Sequence, residues 1–201
     1  MTIPPLTQAS AGGPGGADDR ELVRVLSAIQ ARGAIGSGSV IDAIDHAREF
    51  IRALPWGPSV EGPRRVGVDL GSGGGLPGLV IAHDRPDIHL TLVERRAKRA
   101  DLLSYGARSL EVLDRVDVVC GDVETLMELQ PSTFDLVTAR SFAAPRRVFE
   151  VASVLLSPGG WLVVSEPPVA EPRWTDADVH ALGLIDEGRH GRVRRLHRNP
   201  H

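Results

Sequence analysis

The chain has 201 residues, 42% of them hydrophobic and 24% charged, enough for one well-buried domain with some decoration and too few for two full ones. No apolar run approaches the roughly 18 residues that a membrane span requires, so no membrane partner is expected. The formal charge of -3 excludes a global attraction for nucleic acid and confines any such binding to a local patch.

Residues 1–16 hold neither a basic nor an apolar segment of the secretory kind, which makes the cytoplasm the expected compartment. The single cysteine, Cys120, rules out an intrachain disulfide; at the end of a Val-rich run it reads as a small buried residue. Of the 23 basic residues only Lys98 is a lysine, a bias that lowers the weight of any arginine cluster.

Residues 1–17 are mostly Pro, Gly, Ala and Ser with almost nothing to bury, and read as a disordered leader. Asp18 or Asp19 can then cap a helix in which Leu22, Val25, Leu26 and Ile29 recur at helical spacing, and Gly33 is placed to end it. After a Gly-Ser break, Ser39 with Asp42 three residues on opens a second helix. Its apolar stripe is Val40, Ile44, Ala47, Ile51 and Leu54, and Pro55 stops it. Residues 18–55 thus form N-terminal helices, a lid or flank, and residues 56–65 a Pro/Gly-rich connector.

From Val66 onward strands are expected over residues 66–70, 88–93, 116–120, 134–138 and 161–165. Helices are expected over 77–83, 97–110, 124–129 and 146–156. That alternation implies right-handed crossovers and a mostly parallel sheet covered on both faces, a doubly wound α/β fold spanning 66–201. Two short strands at 183–187 and 192–196, about a His190-Gly191 turn, read as an edge hairpin.

The stretch that carries chemistry runs Asp69-Leu70-Gly71-Ser72-Gly73-Gly74-Gly75-Leu76-Pro77-Gly78, a strand end, a glycine-crowded turn and a helix start. Glycine tolerates positive φ and lets a ligand approach bare backbone, and a helix N-terminus offers unpaired N–H groups, so a nucleotide-like ligand is expected. Gly71, Gly73 and Gly75 fit a loose adenosylmethionine pattern, while Gly73, Gly75 and Gly78 fit the dinucleotide fingerprint; spacing leaves both open. Asp69 would repel a pyrophosphate yet can accept hydrogen bonds, directly or through water, from a methionine ammonium. Glu94 ends the second strand, where an acid accepts both ribose hydroxyls of either cofactor. Asp122 and the N–H of Val123 follow the third strand, where they can read an adenine; Asp122 can also simply cap the next helix.

Three segments resemble one family: Asp69 to Gly78 with its Leu76-Pro77-Gly78, Thr91-Leu92-Val93-Glu94 with Lys98-Arg99, and Phe134-Asp135-Leu136-Val137-Thr138-Ala139-Arg140-Ser141-Phe142-Ala143-Ala144-Pro145. The family is the bacterial 16S ribosomal RNA guanine-N7 methyltransferases, or glucose-inhibited division protein B family, and the resemblance spans roughly residues 66–164. It implies a class I methyltransferase (Rossmann-like) sheet of seven strands, the last inserted antiparallel. It also implies S-adenosyl-L-methionine as cofactor and a guanine N7 of 16S ribosomal RNA as acceptor. Ribosomal RNA or the small ribosomal subunit becomes the expected partner, and a monomer the expected state. Residue reading and resemblance together set the cofactor against Asp69, Gly71, Ser72, Gly73, Gly75, Leu76, Glu94, Arg95, Asp122, Val123 and Arg140. RNA is set against Lys98, Arg99, Arg140, Phe142 and Glu166.

Guanine N7 carries a lone pair and no proton, so methyl transfer to it needs positioning and no general base; no catalytic residue is assigned. Methylation of an exocyclic amine usually relies on a polar-Pro-Pro-aromatic loop after the fourth strand, and that loop is missing. In its place Arg140 can hold a phosphate or the cofactor carboxylate and Phe142 can stack on a base; alternatively Arg140 pairs with an acid and Phe142 packs in the core. After the fifth strand the family tends to show Lys-Gly, whereas this chain has Ser165-Glu166-Pro167-Pro168, an anion followed by a rigid turn. The N-terminal helices also lack the family's Trp-Asn and Asn-Leu-Thr features. These departures keep open a small-molecule or protein acceptor, or a non-catalytic cofactor-binding relative. Two basic clusters remain: Arg95, Arg96, Lys98 and Arg99, and a C-terminal set of Arg189, Arg192, Arg194, Arg195 and Arg198 with His190, His197 and His201. At a cleft rim they bind RNA phosphates; on an edge strand they only discourage pairing. The histidines have no metal-ligand spacing.

Overall fold

A computed structural model describes residues 19–59, 61–167 and 174–200. The leader expected over residues 1–17, Pro168 of the expected turn, and His201 lie outside the described residues.

In chain order the elements are α1 (Asp19–Gln30), α2 (Val40–Arg52), β1 (Arg65–Leu70), α3 (Gly78–Asp84), β2 (Ile88–Glu94), α4 (Ala97–Ser109) and β3 (Val116–Cys120). They continue with α5 (Val123–Leu129), β4 (Phe134–Ala139), α6 (Pro145–Leu155), β5 (Leu156–Ser165), α7 (Asp176–His180), β6 (Leu184–His190) and β7 (Val193–Arg198). The sheet order is β3-β2-β1-β4-β5-β7-β6. Strands β1 to β5 pair in parallel, β7 runs antiparallel between β5 and β6, and the expected hairpin is in place. The chain order reverses at β1 and β4, and a ligand crevice belongs at the C-terminal ends of strands flanking such a point.

Two apolar layers follow from the two-residue alternation of the strands. On one face Leu90 and Leu92 pack with α1, α2, α3 and α4; on the other Val68, Leu70, Val93 and Val137 pack with α5, α6 and α7. Since Val68 and Leu70 face the second layer, Asp69 between them faces the first, under α3. Helix α1 buries Leu22, Val25, Leu26 and Ile29 completely, each contributing about 1.5–3 kcal/mol of burial, so the N-terminal helices share the core of the sheet. On α2 Ser39 accepts the N–H of Asp42 at 3.2 Å, and the buried stripe is Ile44, Ala47 and Phe50.

Three local features differ from the sequence expectation. Strand β5 begins at Leu156, because pairing continues through a register shift between Phe134 and Leu136, where Gly160 lies so close that a Cβ would sit 2.8 Å from the Phe134 carbonyl oxygen. Helix α7 was not expected: five residues are too few for a periodic signal, and its mark is the reciprocal cap of Thr175 and Asp178. Cys120 is exposed where a buried residue was expected, because it ends β3, the outermost strand. Among the described residues no helix is long and apolar enough to cross a membrane.

Candidate functional site

The turn after β1 is built almost wholly from backbone. Ser72 N–H donates to the Val93 carbonyl at 2.9 Å, its hydroxyl to the Asp69 carbonyl at 2.9 Å, and Gly75 N–H to the Ser72 carbonyl at 2.7 Å. Gly71, Gly73 and Gly75 take positive φ values of 64°, 56° and 92°. The glycines then divide in two. A Cβ on Gly75 would meet Leu79 at 2.4 Å and one on Gly78 would meet Leu92 at 2.4 Å, so these positions are glycine because helix packs on strand. A Cβ on Gly73 would stand 3.7 Å from its nearest neighbour, and one on Gly121 would meet nothing within 4 Å. The backbone at these two positions faces open cleft.

Asp69 is fully buried, and its carboxylate accepts from the Thr138 hydroxyl at 2.7 Å, its register partner on β4. Burial pushes its pKa up to about 6, opposed by hydrogen bonds from Thr138 and Ser72 and by the Arg140 charge. Glu94 is buried at the end of β2, with one carboxylate oxygen accepting from Gly73 N–H at 3.0 Å and the other from Arg96 N–H at 2.9 Å. An ionised carboxylate has about four acceptor positions, so two remain for a ligand. Asp122 occupies the N-cap position of α5 yet makes no capping hydrogen bond, which leaves its side chain to the cleft.

Two cavities open at this end of the sheet. The first, of about 380 Å³, is lined among others by Gly71, Glu94, Arg95, Arg99, Asp122 and Val123. The second, of about 520 Å³, is lined among others by His46, Arg140, Val164, Glu166 and Trp174. Both are bordered by Ser141 and Phe142. Ser141 holds a left-handed φ of 55°, and the Phe142 ring lies against Gly71, where a Cβ would come 2.8 Å from Cδ2. Phe142 is thus a partition between the cavities.

Of the residues expected at a cofactor, Gly71, Glu94, Arg95, Asp122 and Val123 line the first cavity, and Gly73 is tied to its edge through Glu94. Asp69, Ser72, Gly75 and Leu76 lie beneath the turn and shape it from behind. Arg140 lines the second cavity with Phe142 and Glu166, while Arg99 lines the first and Lys98 stays exposed on α4 outside both. The side chains of Arg95, Arg96, Lys98 and Arg99 make no ion pair among the described residues.

The C-terminal arginines behave differently. Arg192 pairs with Glu49 at 2.6 Å and Arg194 with Asp186 at 2.7 Å, and Arg195 and Arg198 donate to the carbonyls of Ala53 and Leu156. Pairing spends that cluster on holding the hairpin in place. Sequence reasoning missed His46. The signal was a second face of α2, His46, Glu49, Phe50 and Ala53 at i, i+3, i+4 and i+7, overlapping the stripe chosen. Among the described residues no cluster of His, Cys, Asp and Glu is suited to a metal ion.

The family model for rRNA small subunit methyltransferase G (GidB) matches residues 46–178, from His46 on α2 into α7. The chain belongs to this family. Within it, the ribosomal RNA small subunit methyltransferase G of Rhizorhabdus wittichii is 38% identical over 120 residues, covering 56% of this chain and 54% of that protein. The protein of the same name from Salinispora tropica is 42% identical over 100 residues, 48% of this chain and 41% of its own length. The chain therefore spans about half the length of these curated relatives. In three dimensions it is similar to a putative O-methyltransferase from Klebsiella pneumoniae, with a TM-score of 0.61 at 15% identity over 92% of each chain. A cofactor-bound structure of Rv0187 from MTB gives 0.59 at 21% identity over 91% of each chain. These likenesses confirm the class I methyltransferase fold.

Proposed function

We propose that the chain is an S-adenosyl-L-methionine-dependent methyltransferase that acts on N7 of a guanine in 16S ribosomal RNA. The observation that carries this reading is the pair of cavities meeting at Ser141 and Phe142, one suited to a nucleoside and one to a planar acceptor. The residues fit the cofactor: the open backbone of Gly73 and Gly121 is a cradle that a Cβ would fill, and Glu94 and Asp122 bring free acceptor capacity to it. In this assignment Glu94 holds the ribose hydroxyls, Asp122 and the Val123 N–H hold the adenine, and Gly71 and Gly73 face the methionine portion. Asp69 acts from behind, through the turn it braces.

When bound, the cofactor supplies a methyl group on a sulfonium. The protein's part is to exclude water, to hold the acceptor lone pair in line, and to receive the positive charge that passes to the purine. Phe142 stacks on the base. Glu166 lines the acceptor cavity, and its carboxylate favours the cationic product, a role that the lysine the resembled family tends to carry there cannot fill. The unpaired basic run Arg95, Arg96, Lys98 and Arg99 holds the RNA backbone, which places the partner, ribosomal RNA or the small subunit, over the first cavity's rim. The enzyme is a cytoplasmic monomer in this reading. Calorimetry with S-adenosylhomocysteine tests the cofactor: micromolar-class binding is expected, and no heat from the intact protein contradicts it. Glu166 also suits a small cationic acceptor; methyl transfer that depends on a metabolite extract and ignores RNA would favour that second reading.

A further inference from the structure

Beside the Glu166 carboxylate, the acceptor cavity holds two buried nitrogen atoms that find no hydrogen-bond partner, Nη1 of Arg140 and Nε2 of His46. An unmet buried hydrogen-bonding group is costly, more so when charged, so two nitrogens lining one cavity need an explanation.

They are of opposite kinds. A guanidinium nitrogen only donates. His46 is half buried on α2, and burial, then the charges of Arg192 and Arg140, hold its pKa below the ordinary histidine value, so the ring is neutral near pH 7. Contact with the Arg192 backbone works the other way. A neutral imidazole has one donor and one acceptor nitrogen, and with its proton on Nδ1 the unpartnered Nε2 presents a bare lone pair. One helical turn on, Glu49 accepts from Arg192 N–H at 2.5 Å and from Arg192 Nε at 2.6 Å. It fixes α2 to the β6–β7 turn. Gly191 in that turn has a φ of 63°, and a Cβ there would lie 2.5 Å from the Glu49 carboxylate. Helix α2 is therefore anchored to the hairpin one turn from His46.

Beside the Glu166 carboxylate, these two nitrogens thus offer one donor and one acceptor. Their complement is an acceptor beside a donor, as O6 and N1–H of guanine; adenine presents the reverse, an amino group beside a bare N1. We propose that Arg140 Nη1 and His46 Nε2 take O6 and N1–H of the acceptor guanine, so that the two together separate guanine from adenine. N7, on the far side of O6, is left without a contact and available to the methyl group. The inference rests on the ribosomal RNA methyltransferase reading and adds the orientation of the base.

The test is titration of the full-length protein with guanosine 5′-monophosphate and adenosine 5′-monophosphate, with and without S-adenosylhomocysteine, so that failure of cofactor binding shows separately. A guanine preference of about tenfold or more is expected, the low end of what leaving buried polar groups unmet costs the mismatched base. Imidazole nitrogen resonances should show Nε2 of His46 shifting on addition of the guanine nucleotide. His46→Ala should reduce the preference by at least about threefold, leaving the share due to Arg140, and His46→Gln, which keeps an acceptor oxygen, should retain an intermediate value. S-adenosylhomocysteine affinity should not change in either variant. Equal affinities for the two nucleotides in the parent protein, or a guanine preference undiminished in His46→Ala, would overturn the inference.

Discussion

The two cavities on either side of Phe142 solve different problems. The first is made of glycine backbone, three carboxylates and arginines, most of them from the strand ends and turns of β1, β2 and β3, with Arg99 from α4, Glu124 from α5 and Arg147 from α6. The second is assembled from α2, β4, α6, β5 and the segment before α7, and its ionisable groups are an imidazole, a guanidinium and a carboxylate among aromatic rings. In the proposed function a nucleoside cofactor is met by a local motif that any sheet of this order can carry, and an acceptor base by side chains far apart in sequence, which is where one member of a family can depart from another.

The sharpest break of that comparison is within the glycine turn. Gly73→Arg should abolish S-adenosylhomocysteine binding, a loss of more than about 100-fold, because the new side chain enters cleft space, at a stability cost of about 1–2 kcal/mol from its φ of 56°. Gly75→Ala, two residues on, should fail the other way, with a stability loss of more than about 2 kcal/mol, because its Cβ meets Leu79. Phe142→Ala should lower kcat/KM for RNA about 10- to 100-fold, the worth of one base–aromatic stack. Cofactor affinity should move by less than about threefold; an equal loss on both sides would show that Phe142 serves the first cavity as well.

Asp69 provides a pH test of what lies behind the turn. Burial raises its pKa from 3.8 to about 6, so the fold prefers its protonated form. The stabilisation it gives is complete below pH 3.8 and is lost as pH rises through about 6, a change on the order of 3 kcal/mol. Melting temperatures of the parent should therefore fall relative to Asp69→Asn between pH 4 and pH 7; parallel curves would contradict the assignment. The smallest effects belong to the rim. Lys98→Ala and Arg99→Ala should each lower the salt slope of RNA binding by about 0.7–0.9, whereas Arg194→Ala should leave the slope alone and cost about 1–3 kcal/mol, because Asp186 loses its charge partner and keeps only Trp174 Nε1 and the Gly188 N–H.

Much of the first cavity was legible because its parts are periodic or contiguous. The strand alternation gave the sheet, Asp69 to Gly78 gave the turn, and Glu94 and Asp122 fell after strands whose ends line the cavity. What stayed hidden depends on three-dimensional pairing. That Asp69 would be sealed under α3 follows from the face it shares with Thr138, a partner 69 residues away. That the hairpin arginines would be paired depended on Glu49 and Asp186 reaching them across the fold. His46 was masked because its neighbours on α2 also fit a simpler apolar stripe, and α7 because five residues hold no period.

The central claim, a guanine N7 as acceptor, is tested most directly by borohydride and aniline treatment of small-subunit RNA from cells with and without this gene. The expected result is one aniline cleavage that disappears in the deletion, returns with the parent chain and does not return with Gly73→Arg. An unchanged cleavage pattern in the deletion would contradict it.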